Sequence, residues 1–282
     1  MVPLSRIYVA EIWKLTKRPM TWALGGILVG FIVLIYVTLF ALLIGPEAAN
    51  LDREGLTESL ILPDGLYMGI GLIQLLVSAL VIVLAAGMVG SDLSWGTVRT
   101  MLMMGSGRVR ILVAKALTLL TFGLLAIIVG VLLTVLASWG IGAATGDGPS
   151  GFSWLTGAFI TDSVIVAARA LVAVTLWAII SATITLTLRS LAAGIGITLT
   201  LSFVGGQIGG LLGQFGDAGT WVSRVLPNAG IDAIGQLNQV SPPVYGAGDW
   251  AWILASIIGW FLLMTVIAVT TFRRMDTLAA GA

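Results

Sequence analysis

The chain has no cysteine and no histidine, and charged residues make up only 10 % of its 282 positions. Without cysteine there can be no disulfide, no thiolate metal site and no thiol nucleophile. Without histidine the commonest metal ligand and the commonest general base are both missing, which argues against an intramembrane metalloprotease or a His-dependent hydrolase. The low charge argues against a water-soluble fold, where roughly a quarter of residues are charged. Apolar residues take up the difference, at 58 % of the chain and a mean hydropathy of +1.07. That is more apolar surface than a fold of this size can hide from water, so the chain belongs in a bilayer.

Crossing about 30 Å of hydrocarbon takes about twenty apolar residues in a helix. Six runs qualify: Trp22 to Ile44, Leu66 to Val89, Ile111 to Trp139, Val164 to Leu188, Leu191 to Leu212 and Trp250 to Phe272. The fold class is therefore all-α, with a six-helix membrane domain over residues 22–282. The fourth and fifth runs are separated by little more than Arg189 and Ser190, which predicts a tight helical hairpin. The first run starts too late and is too long for a cleavable signal, and Met1 is expected to remain.

The net charge of +1 conceals a sorted distribution. Arg6, Lys14, Lys17, Arg18, Arg99, Arg108, Arg110, Lys115, Arg189, Arg273 and Arg274 lie in segments on one side of the predicted crossings, and only Arg53 and Arg224 on the other. Cations are retained in the cytosol, so both termini are expected there. The acids mirror this pattern, with only Glu11, Asp92 and Asp276 on the basic side.

Residues 1–21 read as an amphipathic helix lying on the inner membrane surface. Leu4, Ile7, Tyr8, Ile12 and Leu15 share one helical face, Arg6, Lys14 and Lys17 fall mainly opposite, and Pro19 breaks the helix. Glu11 lies near the apolar stripe, where a carboxylate needs a cation. Candidates are Lys14 three residues on, a basic residue of the Gly90 to Lys115 segment, or a bound cytosolic protein. In that segment Asp92, Gly96, Thr97, Arg99 and the Met101-Leu102 pair read as a short amphipathic helix outside the membrane, bounded by Gly105-Ser106-Gly107. Topogenic anchoring explains part of its cation content but not the apolar knob with a basic rim.

"EIWKLTKRP" and "SDLSWGTVRTMLMMGSGRVRILVAKAL" resemble the type-2 ATP-binding cassette exporter permeases with six membrane helices per chain. The resemblance implies that Asp92, Gly96, Thr97, Arg99, Met101, Leu102, Arg108 and Lys115 form or flank the coupling element that engages an ATPase subunit, with Glu11 beside it. It further implies a permease dimer, of identical or homologous chains, docking two ATPase copies that carry ATP and magnesium. The cargo would be a hydrophobic or amphipathic drug, lipid or peptide. This chain is itself expected to be no enzyme and to hold no cofactor. Its three lysines follow Trp13, Thr16 and Ala114, so none can complete a phosphate-cradling G-x-x-x-x-G-K-[ST] loop. The G-x-G-x-x-G at Gly146, Gly148 and Gly151 contains Pro149 and follows no strand, so it reads as a loop. Membrane lipid, but no nucleic acid, completes the expected partners.

Residues 205–249 are too long for a turn and too apolar for an aqueous loop. They read as short helices dipping into the outer leaflet, broken at Pro227 and Pro242-Pro243. Gly205, Gly206, Gly209, Gly210 and Gly213 give overlapping small-xxx-small spacings, suited either to a dimer seam or to packing within one subunit. Arg169, inside the fourth run, either snorkels to external headgroups or Asp162, or lines an exit path. Hydroxyls at Thr175, Ser181, Thr183, Thr185 and Thr187 could line a path or bond to their own helix. A secondary transporter or channel would ordinarily show buried carboxylates within the crossings, and none is evident. A non-transporting assembly subunit is the remaining alternative.

Overall fold

The computed structural model describes residues 2–45, 53–97, 107–148, 151, 153–236 and 249–274. Among them are ten helices and no strand. In chain order these are α1 (Leu4–Thr16), α2 (Pro19–Ile44), α3 (Arg53–Leu60), α4 (Asp64–Ser94) and α5 (Arg108–Thr145). Then come α6 (Gly157–Leu188), α7 (Leu191–Gly213), α8 (Gly216–Val225), α9 (Pro227–Gln236) and α10 (Trp250–Arg274). Six of them, α2, α4, α5, α6, α7 and α10, are long and apolar enough to cross a membrane. Each extends up to several residues past the expected apolar run, because polar and small residues at the ends continue the backbone hydrogen bonding.

The central element is α4, which packs along α5 and α6. Small residues allow this closeness: Ala85 and Ala86 on α4, and Ala170, Ala173 and Ala178 on α6, are all buried. One apolar cluster joins α2, α4, α5 and α6, and a second joins Ile82 of α4 to α6, α9 and α10. By contrast α2 turns Phe31, Leu34 and Val37 outward, and α7 turns out Phe203, Ile208 and Leu211. In water those faces would be a liability, whereas in hydrocarbon they are lipid contacts.

Two corners set the ends of the bundle. Pro19 sits at the first turn of α2, where its missing N–H costs nothing, and the Trp22 indole N–H donates to the Thr16 carbonyl (2.9 Å), closing the bend from α1. The α6–α7 hairpin turns at Arg189, whose backbone is left-handed (φ 52°). Ser190 then caps α7 by accepting from the Ala193 N–H (3.3 Å). Gly194 follows directly under Thr185, so close that a Cβ there would lie 1.8 Å from the Thr185 hydroxyl.

The hydroxyls of the fourth run divide in two. Thr175, Thr185 and Thr187 donate to carbonyls four residues back in their own helix. Ser181 instead reaches the Ile82 carbonyl of α4 (2.8 Å) and Thr183 the Met264 carbonyl of α10 (3.4 Å), so these two join helices. At Pro227 the chain breaks between α8 and α9 as expected, while Pro242-Pro243 lies outside the described residues. Helix α3, in the first connection at the acidic end, has no counterpart in the sequence reading. Gly146 ends α5 in a left-handed cap (φ 80°), in keeping with a loop at the G-x-G-x-x-G stretch.

Candidate functional site

Helix α1 packs on α5, and its buried stripe is Ile7, Glu11 and Leu15, one residue per turn. The carboxylate thus lies in the middle of the packed face, 0 % exposed. Across from it, Lys115 belongs to the buried stripe of α5 with Ile111, Ala114 and Thr118. The third member, Asp92, stands in the last turn of α4 and is 1 % exposed. Lys115 Nζ bonds Glu11 Oε2 at 3.1 Å and also Asp92 Oδ2, so one ammonium joins three helices. Among the described residues Glu11, Asp92 and Lys115 are the only buried charged side chains.

Two further cations close the cluster. Lys14 Nζ reaches Glu11 Oε1 (3.0 Å) and Asp92 Oδ1 (3.2 Å), and Arg18 Nη2 lies 3.6 Å from Asp92 Oδ1. Arg18 also donates to the Gly87 carbonyl (3.5 Å) and lies over the Trp95 ring at 5.5 Å. The Thr97 hydroxyl donates to Asp92 Oδ1 (3.0 Å) and to the Asp92 carbonyl (3.2 Å), capping α4. The Tyr8 and Thr121 hydroxyls are bonded at 2.7 Å, a second link between α1 and α5. The cluster thus sets three basic side chains against two carboxyl groups.

Helix electrostatics alone would not choose this arrangement. An acid in the last turn of α4 faces the negative end of the helix dipole. Its stability there depends on cations delivered by α1 and α5. Arg108 makes the converse exchange. It opens α5, where a cation is disfavoured, but donates to the Phe272 carbonyl (3.3 Å) and to the Arg273 carbonyl at the closing end of α10. It thereby satisfies carbonyls that have no partner within their own helix.

The sequence-derived residues are placed as follows. Asp92, Lys115 and Glu11 come together in one buried cluster, with Thr97 as a ligand of Asp92. Both intrachain partners considered for Glu11, Lys14 and the Gly90 to Lys115 segment, are used at once. The expected single helix from Asp92 onward is corrected: Asp92 is part of α4, and the chain turns at Trp95 and Gly96, where φ is +67°. The α1 face is corrected too, since Lys14 turns inward and the buried stripe is centred on Glu11. Arg99, Met101 and Leu102 lie outside the described residues. What the sequence reading missed is the pairing of Asp92 with Lys14 and Arg18, for which the lone acid amid basic residues was the only signal.

At the acidic end, Arg169 lies over the ring of Trp250, the first residue of α10, at 5.6 Å. It is therefore level with the start of that crossing. Of the glycine series, Gly205 packs on Asn228, where a Cβ would be 2.2 Å from Oδ1, and Gly206 lies near Asp232. Gly210 and Gly213 meet nothing within 4 Å, and Gly209 only side chains at 3.9 Å. Packing within the subunit thus accounts for the first of the five and leaves the last three open.

Fold and site together define a multi-pass α-helical membrane protein whose basic end is tied by a buried ionic cluster. Residues 61–278, more than three quarters of the chain, match the family described as "Protein of unknown function (DUF2705)", and the chain belongs to that family. The match contains Asp92 and Lys115, while Glu11, Lys14 and Arg18 precede it. Among curated proteins none matches the chain.

Proposed function

We propose that the chain is the membrane-spanning permease subunit of an exporter in a prokaryotic cell membrane, driven by a separate ATPase that binds at the basic, cytosolic end. The observation that carries this reading is the Glu11–Lys115–Asp92 cluster. Lys115 and Asp92 flank the connection over residues 98–106, and Glu11 joins both flanks to α1. A push on that connection would reach α1, α4 and α5 as one unit, because separating any of them exposes an unpaired buried charge. Two such chains, identical or homologous, would dock two ATPase copies. The helices between α7 and α10 would re-enter the outer leaflet. The cargo class is a hydrophobic or amphipathic drug, lipid or peptide.

A secondary transporter is less well supported, because the two buried carboxylates among the described residues both lie at the basic end and both are ion-paired. In the exporter reading Arg99 is the preferred docking residue, since Arg108 is engaged with α10. The test is purification from native membranes of the intact chain and of Arg99→Glu, with vanadate-sensitive ATP hydrolysis assayed in the eluate. Co-purified activity that falls in a still-oligomeric variant is the expected result. An intact oligomer with no associated ATPase would refute the exporter reading and favour a transporter without an ATPase or an assembly subunit.

A further inference from the structure

At the acidic end, α8 and α10 border an open cleft of about 360 Å³ lined by Trp221, Arg224, Trp252, Ser256, Gly259 and Trp260, among others. The Arg224 guanidinium lies between two indoles, 5.1 Å from the Trp221 ring and 5.0 Å from Trp252. The third indole, Trp260, donates to the Val225 carbonyl (2.8 Å) and fastens the end of α8 to α10. No carboxylate forms an ion pair with Arg224 among the described residues. Asp249 instead accepts from the Trp252 indole N–H (3.0 Å). Arg53, the other cation expected at this end, is engaged with the Leu43 carbonyl (2.9 Å).

From these observations we infer that the cleft is a binding site for an anionic phospholipid, with its phosphate on Arg224 and one acyl chain along α10. Indole faces hold the guanidinium by cation–π attraction and leave its N–H edge free, and that edge suits a phosphate oxygen pair. A trough continues from the cation. Trp252, Ala255, Ser256, Gly259 and Leu263 follow one face of α10 over about 17 Å at 1.5 Å per residue. At Gly259 a side chain would meet nothing within 4 Å. One end of the cleft is therefore cationic and aromatic, like a membrane interface, and the other, past Ser256, is lined by Gly259 and Leu263. That sequence of surfaces fits an amphiphile and offers a free anion no second cation. The inference depends on the chain crossing the membrane and not on the exporter reading.

The experiment is native mass spectrometry of the full chain in mild detergent, titrated with phosphatidylglycerol or with phosphatidylcholine of the same acyl chains. Glycerophosphoglycerol and inorganic phosphate serve as chainless competitors. One phosphatidylglycerol should be retained about tenfold better than phosphatidylcholine, because both offer a phosphate but the choline cation opposes Arg224 at close range, and chainless phosphates should not displace it. Arg224→Gln should abolish the preference, and Arg53→Gln should keep it. Gly259→Leu, which fills the trough without touching the cation, should weaken retention of both lipids, and it serves if Arg224→Gln fails to fold. Equal retention of the two lipids, an unchanged preference in folded Arg224→Gln, displacement by chainless phosphate, or unchanged retention in Gly259→Leu would each overturn the proposal.

Discussion

Replacing Lys115 by Met keeps an unbranched side chain of similar length but removes the one cation bonded to both buried acids. The 3.1 Å contact with Glu11 alone is worth roughly 5 kcal/mol gross at an effective dielectric of about 20, and most of that is cancelled by the cost of drying the charges. The remaining Lys14 and Arg18 are 26 % and 15 % exposed at their side chains, so they screen Glu11 and Asp92 only in part. The net loss should be about 3–5 kcal/mol, the range for breaking a buried pair by removing one partner. Unfolding by sodium dodecyl sulfate in mixed micelles, followed by tryptophan emission, measures it directly. A Glu11→Gln, Lys115→Met double variant should lose less than the sum of its singles by at least about 1 kcal/mol, since neutralising both removes the stranded charge. A Lys115→Met loss below about 1 kcal/mol, or strict additivity in the cycle, would refute the claim that this ammonium holds the three helices together.

Gly194→Ala should destabilise the α6–α7 hairpin by about 1–3 kcal/mol, because its Cβ would collide with the Thr185 hydroxyl. Gly210→Ala, with open space around it, should be neutral or slightly stabilising in the same unfolding assay. Gly209→Leu with Gly213→Leu should leave the single chain folded. A weakened dimer by light scattering would then mark the open α7 face as the subunit seam, and an intact dimer would reject it. Because the chain has no native cysteine, Ser5→Cys and Asp217→Cys report sidedness cleanly. An impermeant maleimide should label intact cells only at residue 217, and the reverse pattern would invert the orientation. Tyr8→Phe removes the hydroxyl pair with Thr121 and should cost about 0.5–1.5 kcal/mol.

Much of the bundle was legible because crossing a membrane is a requirement on composition over some twenty residues, and local sequence is enough to satisfy it. The hairpin at Arg189 and the break at Pro227 were legible for the same reason, since both are set by neighbours in the chain. Helix α3 was not, because an eight-residue segment with Glu54 and Glu58 has no apolar face clear enough to separate helix from loop. The ionic cluster was half legible. Glu11 stood out as an acid on an apolar stripe, which says that a cation is required but not which one. Lys115 lies 104 residues away, at a spacing that no helical periodicity encodes.

The cluster also explains why α1 packs as it does when its apolar residues would suit a bare membrane surface. An amphipathic helix resting on lipid turns its charges to water, which would have left Glu11 near the surface and Asp92 without Lys14 at the end of α4. Docking α1 on α5 reverses the demand: Ile7 and Leu15 are buried on either side of Glu11, and the carboxylate between them becomes the ligand that Lys115 needs in order to be buried at all. Each charge is tolerable only because the other two helices are in place. Removing α1 should therefore do more than shorten the chain. A variant starting at Pro19 would expose Lys115 and strip Asp92 of Lys14 and Arg18 while leaving all six crossings intact. It should insert normally but unfold at a lower dodecyl sulfate fraction than the full chain, and Asp92→Asn should deepen that loss in the shortened form, because Asp92 is then the one acid still paired with Lys115. Equal stability of the two forms would mean that α1 is an independent surface anchor.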